Sequence, residues 1–367
     1  MKVGIIGLPG TGKTSLYNAL TRSQLNLSQY DSKDVHIGVI SVPDPRFDYS
    51  VEQCSPKKVT PATIEFTEGG ARIEREEHHG HGAKFGADFF AGVRNVEALI
   101  LVTRAFQSEL MPDPPDGINP VREAERTMEE LLLADLTVVE GRLERLEKAR
   151  MLKRQSTAEA VEHQTLDRIK THLESLQPVR TLSLSVDEER SIRSYAFVSG
   201  KPLILVVNIN ESDAGSQNLD ILKEPTDFAR SQNAPLVAIC ASTEMEVAQM
   251  DPAEELEFLQ AVGIQESARD RLIRAAYAAL GLLSFFTVGD DEVRAWTITA
   301  GSNAVEAAEK IHSDLARGFI RAEVISFEEF KSAGGCWDEA RAAGKMHLEG
   351  KEYVVQDGDI LHVRFKV

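Results

Sequence analysis

The chain is poor in cysteine. Cys54, Cys240 and Cys336 are its only three in 367 residues, and no two of them share a CxxC spacing. That usage argues for a reducing cytoplasm over an oxidising compartment. Long apolar runs are missing too: none approaches the about 20 residues that a membrane span needs, so no membrane association is expected. The chain enters a charged strand at Lys2 with no leader expected ahead of it. Positive charge is scarce, since 41 Lys and Arg against 58 Asp and Glu leave a net charge of -17. The chain as a whole is repelled by phosphate backbones, which excludes DNA sequence recognition and confines any nucleic-acid contact to a local patch. No internal repeat and no low-complexity tail is found. The length predicts two or three domains with ample apolar content for their cores.

What is present starts at the front. Lys2 to Ile6 is an apolar run short enough for a buried strand, Gly7 to Thr14 reads GxxxxGKT, and Leu16, Asn18, Ala19 and Leu20 continue as a helix. This is a P-loop in its required strand, turn and helix context. Its glycines let the backbone wrap an anion so that successive N–H groups and the helix N-terminus point at phosphates. Lys13 is placed to reach the β and γ phosphates, and the Thr14 hydroxyl to ligate Mg²⁺.

The polar stretch Ser23 to His36 lacks periodicity and is expected to move. Ile37 to Val42 and Ala62 to Phe66 are predicted as strands, joined across Pro43-Asp44-Pro45 and a short helix. Gly69 to Gly86 is predicted as a loop beside the phosphates. It holds His78, His79 and His81, but two are adjacent and no second ligand cluster accompanies them, so a loop is preferred to a metal site. Glu97 to Thr103 is a buried-type strand.

From Pro120 to about Arg193 the pattern becomes charged and long-period. Leu166, Ile169, Leu173 and Leu176 repeat at coiled-coil spacing and, with Leu143 and Leu146, predict an antiparallel helical arm. Near its tip lie Arg142, Arg145, Lys148, Arg150, Lys153 and Arg154. Such a run is commonly a solvated helix face; against so acidic a background it is also the place to touch RNA. Pro202 to Asn208 and Pro235 to Cys240 return to strand, so the arm is inserted into an α/β domain. After a helix from about Ala268, a separate small unit is predicted from Thr287, ending in a hairpin whose turn is Asp357-Gly358. The expected boundaries are 1–119 and 199–284 for the split P-loop domain, 120–198 for the arm and 285–367 for the last unit.

Val207-Asn208-Ile209-Asn210-Glu211 follows a strand at its carboxyl end, where ligands gather in such sheets. P-loop GTPases place NKxD there, the aspartate accepting two guanine hydrogen bonds. Ile209 and Glu211 replace the lysine and the aspartate, and the longer acid cannot keep that two-point geometry. Selectivity for guanine should fall, because rejecting a base depends on leaving buried polar groups unpaired. ATP is therefore expected to bind at least as well as GTP.

GLPGTGKTSLYNALT, VISVPDPRFD, PKKVTPATIEF, LVTRAF, NINE, AWTITAG, KIHSDLARGFIRAEVISFEEF and LEGKEYVVQDGDILHVRF carry a resemblance over nearly the whole chain. The sequence resembles the YchF/Obg-like ATPase family. That resemblance implies an α/β fold of the P-loop NTPase, G-domain-like class, a mixed sheet with an inserted antiparallel helical arm, and a C-terminal TGS domain of β-grasp type. It implies ATP binding with slow hydrolysis, Mg²⁺, and association with the ribosome or ribosomal RNA through the arm tip and the TGS domain. Carried over by position, Gly10, Thr11, Gly12, Lys13, Thr14 and Ser15 hold the phosphates, and Thr14 and Ser32 face the metal. Asn208, Ile209 and Glu211 meet the base, while Ala241 and Ser242 close over it.

The departures fall on the catalytic side. Relatives begin the second switch Asp-Ile-Ala-Gly where this chain has Glu68-Gly69-Gly70-Ala71, and Asp113 stands where they carry a histidine thought to be catalytic. Each loss should slow the chemical step more than it weakens binding. A nucleotide switch with slow turnover is expected; the alternative is an adaptor that keeps nucleotide as a structural ligand. A metabolic kinase is disfavoured, because no arginine-rich lid is visible.

Overall fold

The computed structural model describes the chain except for residues 26–34, 70–72, 76–82, 110–111, 115, 153–155, 214–219, 252–253, 256, 259–265 and 367. Ser32, the three loop histidines, Lys153 and Arg154 therefore lie outside the described residues. Two compact units are present: residues 1–39 with 65–272, and residues 40–64 with 273–367.

In the first unit, β1 (Lys2–Ile6) leads through the P-loop to α1 (Lys13–Thr21) and β2 (Val35–Ser41). The chain then passes through α2 (Pro45–Cys54) and β3 (Lys58–Thr60) before β4 (Thr63–Gly69). β5 (Ile73–Arg75) and β6 (Ala83–Phe85) form an antiparallel ribbon within the stretch expected to be a loop. α3 (Ala87–Arg94) and β7 (Ala98–Ala105) follow. After the arm come β8 (Leu203–Ile209), α7 (Lys223–Ser231), β9 (Leu236–Ile239) and α8 (Ala241–Val247). The sheet order is β2-β4-β1-β7-β8-β9, and β1, β4, β7, β8 and β9 run parallel. β7 and β8 are buried at every position, as their unbroken apolar runs require of strands covered on both faces. Fully buried Leu99, Ile100 and Leu101 each contribute about 1.5–3 kcal/mol. All these strands point their carboxyl ends at one edge of the sheet.

The arm is α4 (Pro120–Met151) and α5 (Thr157–Glu174), followed by α6 (Val186–Ile192). Asn119 caps α4 through Arg122 N–H with Pro120 at its first position, and Ser156 with Glu159 makes a capping box on α5. The two helices run antiparallel, since Glu140 pairs with Lys170 and Arg142 with Glu162. Leu132, Val139 and Leu146 pack against Leu166, Ile169 and Leu173. Leu176 does not join them: α5 ends at Glu174, and Leu176 takes a φ of 57° and is 65% exposed. Among the described residues of the basic run, three of the four are ion-paired. Arg142 is bound to Glu162 at 2.8 Å, Lys148 to Glu144 at 2.6 Å and Arg150 to Glu147 at 3.5 Å, while Arg145 is exposed.

α9 (Ala268–Ala279) leads into the second unit. β10 (Leu282–Thr287) and β11 (Glu292–Thr299) form an antiparallel pair, then come α10 (Ala304–Ile311), α11 (Ser313–Arg317) and β12 (Phe319–Ile325). α12 (Phe327–Ser332), α13 (Trp337–Ala342), β13 (His347–Glu349) and β14 (Ile360–Phe365) complete it. The sheet order β13-β12-β14-β10-β11-β3 has β14 parallel to β10 at its centre, which is the β-grasp arrangement with one strand added. That added strand is β3, and α2 joins the same core through Phe47 beside Phe286, Phe330 and Ile360. Residues 40–64, expected in the P-loop domain, thus pack with the C-terminal unit. The expected boundary at 285 also cuts through β10, whose whole length is laddered to β11.

The predicted terminal hairpin does not form. β14 pairs antiparallel with β12, and Val354 makes only an isolated bridge to Asn303. Gly358, at φ 90°, donates its N–H to Ser284 O at 2.8 Å, and Asp357 accepts from Ser284 N–H at 2.9 Å. The Asp-Gly turn therefore docks against β10 instead of reversing the chain onto its neighbour.

Among the described residues, no helix is long and apolar enough to cross a membrane.

Candidate nucleotide site

At the carboxyl edge of the first sheet, β1 releases the P-loop. Gly7, Gly10 and Gly12 have φ of 143°, 81° and 91°, values that side chains with a Cβ seldom adopt. At Gly12 a Cβ would also lie 2.2 Å from Asn208 Nδ2. The loop is braced from within: Thr11, fully buried, donates its hydroxyl to Leu8 O at 3.0 Å, and Lys13 Nζ donates to the same carbonyl at 2.8 Å. Burial pulls the Lys13 ammonium down to about 8, although Glu68 and Glu123 act to hold it up.

Asn208, at the end of β8, ties two loops together. Its Nδ2 donates to Thr11 O at 3.0 Å, and its Oδ1 accepts from Ala241 N–H at 3.0 Å. The parallel β7–β8 register sets Arg104 beside Asn208, which brings the loop after β7 to the same place. There Asn210 Oδ1 accepts the Gln107 N–H at 3.0 Å.

These ties frame a cavity of about 410 Å³, lined by residues from the P-loop, the loop after β7, the loop after β8 and the start of α8. Gly12, Ser15, Asn208, Ile209, Glu211, Ala241 and Ser242, all predicted from sequence, lie on it. Gly10, Thr11, Lys13 and Thr14 lie in the phosphate cradle next to it. Glu211 is exposed, in a short 3-10 turn with Ser212 and Asp213.

Thr14 turns the other way, donating its hydroxyl to Glu68 Oε1 at 3.1 Å. Glu68 is 8% exposed at the end of β4, beside β1 in the sheet. A hydroxyl and a carboxylate meeting next to a phosphate cradle suit a hard cation that takes its remaining ligands from phosphate and water. Among the described residues no group of three His, Cys, Asp or Glu could hold a metal by itself. A cation here would therefore depend on a bound phosphate.

Phe106, Gln107 and Ser212 also line the cavity, and sequence reasoning missed them; Asn210, which lies in the predicted stretch but was given no role, lines it too. A signal existed: the rule that ligands gather at strand carboxyl ends applies to β7 as much as to β8. Asp113 is not near a free position but bound to Arg104 at 2.8 Å.

A family profile described as "Protein of unknown function (DUF933)", the YchF GTPase C-terminal family, matches residues 282–366. Relatives named "Ribosome-binding ATPase YchF" match end to end. The one from Bacillus subtilis is 38% identical over 374 residues, covering 100% of both chains. The one from Escherichia coli O157:H7 is 36% identical over 369 residues, covering 100% of this chain and 99% of that one. The solved Schizosaccharomyces pombe YchF GTPase superposes with a TM-score of 0.83 at 31% identity, over 99% of this chain and 97% of that one. With the P-loop, the inserted arm and the C-terminal β-grasp unit all in place, the chain belongs to the YchF family.

Proposed function

We propose that this protein binds ATP with Mg²⁺ at the P-loop cavity, turns it over slowly in the cytoplasm, and uses its occupancy to govern attachment to the ribosome. The carrying observation is the Asn208 amide, which fixes the phosphate cradle and the α8 loop around one cavity. Ile209 and Glu211 line the base end where guanine-specific proteins need lysine and aspartate. Mg²⁺ would be held by the Thr14 hydroxyl with Glu68 beside it. Slow turnover is inferred because neither Asp113 nor Glu68 matches the residues expected there. Association with the ribosome rests on the names of the relatives and on the arm, where Arg145, Lys148 and Arg150 are exposed.

Calorimetry with ATP, ADP, GTP and GDP in Mg²⁺ tests the pocket and the base choice together. ATP should bind at least as tightly as GTP; GTP binding far more tightly overturns the base assignment. If phosphate release by the protein equals that of a Lys13→Ala control, the protein is a nucleotide-holding adaptor instead. Cosedimentation with ribosomes tests the arm: Arg145→Glu, Lys148→Glu and Arg150→Glu together should lower affinity about tenfold or more at low salt. Unchanged pelleting rules out the tip.

Lys13 makes binding pH-dependent. Its ammonium is half neutral near pH 8 without ligand, and bound phosphates restore the charge. Binding at pH 8 should thus take up about half a proton, falling towards zero by about pH 6.5, and affinity should decline as pH rises through 8. Calorimetry in buffers of different ionisation enthalpy reads this uptake. Lys13→Arg, whose guanidinium stays charged, should abolish it.

A further inference from the structure

Arg104 is the last charged residue of β7, and its side chain is only 4% exposed. A guanidinium cannot shed its charge, so burial obliges it to find acceptors. Its Nε donates to Phe106 O at 2.9 Å, its Nη1 to Pro112 O at 3.2 Å and its Nη2 to Asp113 Oδ1 at 2.8 Å. The guanidinium also lies 5.1 Å from the centroid of the Phe106 ring. One side chain thus gathers both ends of the segment from Phe106 to Asp113. Its own backbone N–H is anchored by Glu123 Oε2 at 2.7 Å, from the first turn of α4.

We propose that the Arg104–Asp113 ion pair is the clamp that holds Phe106 and Gln107 as one wall of the nucleotide cavity, which makes Asp113 a positioning residue for nucleotide affinity. This rests on the nucleotide assignment above. Without the carboxylate, the buried guanidinium loses a directly bonded counter-charge and keeps only the electrostatic support of Glu123, so its pull towards water grows. Leaving, it would withdraw its donors from the Phe106 and Pro112 carbonyls, and both of those ties would be lost. Gln107 would then keep its bond to Asn210. Asp113 is half exposed, so its replacement leaves no hole in a core.

The experiment compares wild type, Asp113→Ala and Asp113→Glu. Affinity is read with a fluorescent N-methylanthraniloyl ATP in Mg²⁺, turnover by phosphate release, and local order by hydrogen exchange of residues 106–109 without nucleotide. Asp113→Ala should weaken ATP about 5- to 10-fold, the size of one charge-assisted bond discounted for a half-exposed partner. The loss should fall on KM and not on kcat, exchange should quicken, and Asp113→Glu should recover most of both. Equal affinity and equal exchange in wild type and Asp113→Ala overturn the clamp. A fall in turnover at unchanged affinity also overturns it, in favour of a catalytic role. If wild type binds no ATP while Asp113→Ala still quickens exchange, the nucleotide assignment has failed and the clamp itself stands.

Discussion

Gly12→Ala is expected to weaken ATP binding by more than about 100-fold, because both its backbone and its surroundings forbid a Cβ. Gly12 caps α1 at φ 91° and ψ 24°, in the left-handed region. The added carbon would lie 2.2 Å from Asn208 Nδ2, where ordinary contact needs well over 3 Å. Asn208 cannot yield freely, since that same nitrogen holds Thr11 O at 3.0 Å. Either the phosphate loop opens or the amide moves and releases it; in both cases the cradle loses its shape. Strain and the lost buried hydrogen bond together should cost about 2–4 kcal/mol of stability. Gly92→Ala is the control: it lies in α3 with nothing within 4 Å of its would-be Cβ. There alanine should be neutral or stabilising by up to about 1 kcal/mol. Calorimetric titration and thermal melting of both variants read the contrast. A Gly12→Ala protein that binds ATP like wild type would sink the assignment of this loop.

The second large effect is expected at Asn208. Asn208→Ala removes the donor to Thr11 O and the acceptor of Ala241 N–H at one stroke, at a residue 5% exposed. Two backbone groups in the interior are left without that partner, at about 1–3 kcal/mol each, so a loss of about 2–6 kcal/mol is expected. The phosphate cradle and the start of α8 are then no longer held to one another, and ATP affinity should fall about 30-fold or more. Asn208→Asp separates the two duties. It keeps an acceptor for Ala241 N–H but sets a carboxylate against the Thr11 carbonyl, and should be as damaging to ATP binding as alanine. Denaturant melts with parallel nucleotide titrations distinguish the contributions. Full affinity in Asn208→Ala would show that the cradle is self-supporting.

Much of the site was legible in the chain because its demands are local. Gly10, Gly12, Lys13 and Thr14 lie within one turn, so the positive φ values and the placement of the helix N-terminus follow from the order of residues alone. The strands β7 and β8 were equally plain, for a run buried on both faces has no polar alternation to confuse it. Asn208 could be placed at a ligand edge by the strand it ends. Its task of bridging Thr11 and Ala241 could not, because those partners are 197 and 33 residues away.

The misplacements share that origin. Asp357-Gly358 carries a true turn signal, and the turn exists. Its partner is Ser284 rather than an adjacent strand, since turn chemistry sets the local bend and not the surface it meets. The segment 40–64 has the propensities of a helix and a strand in either unit. It lies in the C-terminal core because Phe47 fits among Phe286, Phe330 and Ile360 and β3 finds an open edge at β11. Leu176 continues a numerical period past a helix that has already ended.

From its residues alone, then, this protein's phosphate cradle, its central strands and its arm were determined, because backbone strain, burial and helical period act over a few residues. Tertiary structure alone decided that Arg104 gathers Phe106, Asp113 and Glu123 beside the cavity that Phe106 lines and that residues 40–64 join the second core. Those outcomes depend on which distant surfaces fill one another, and shape complementarity between remote segments leaves no mark in the neighbourhood of any one residue.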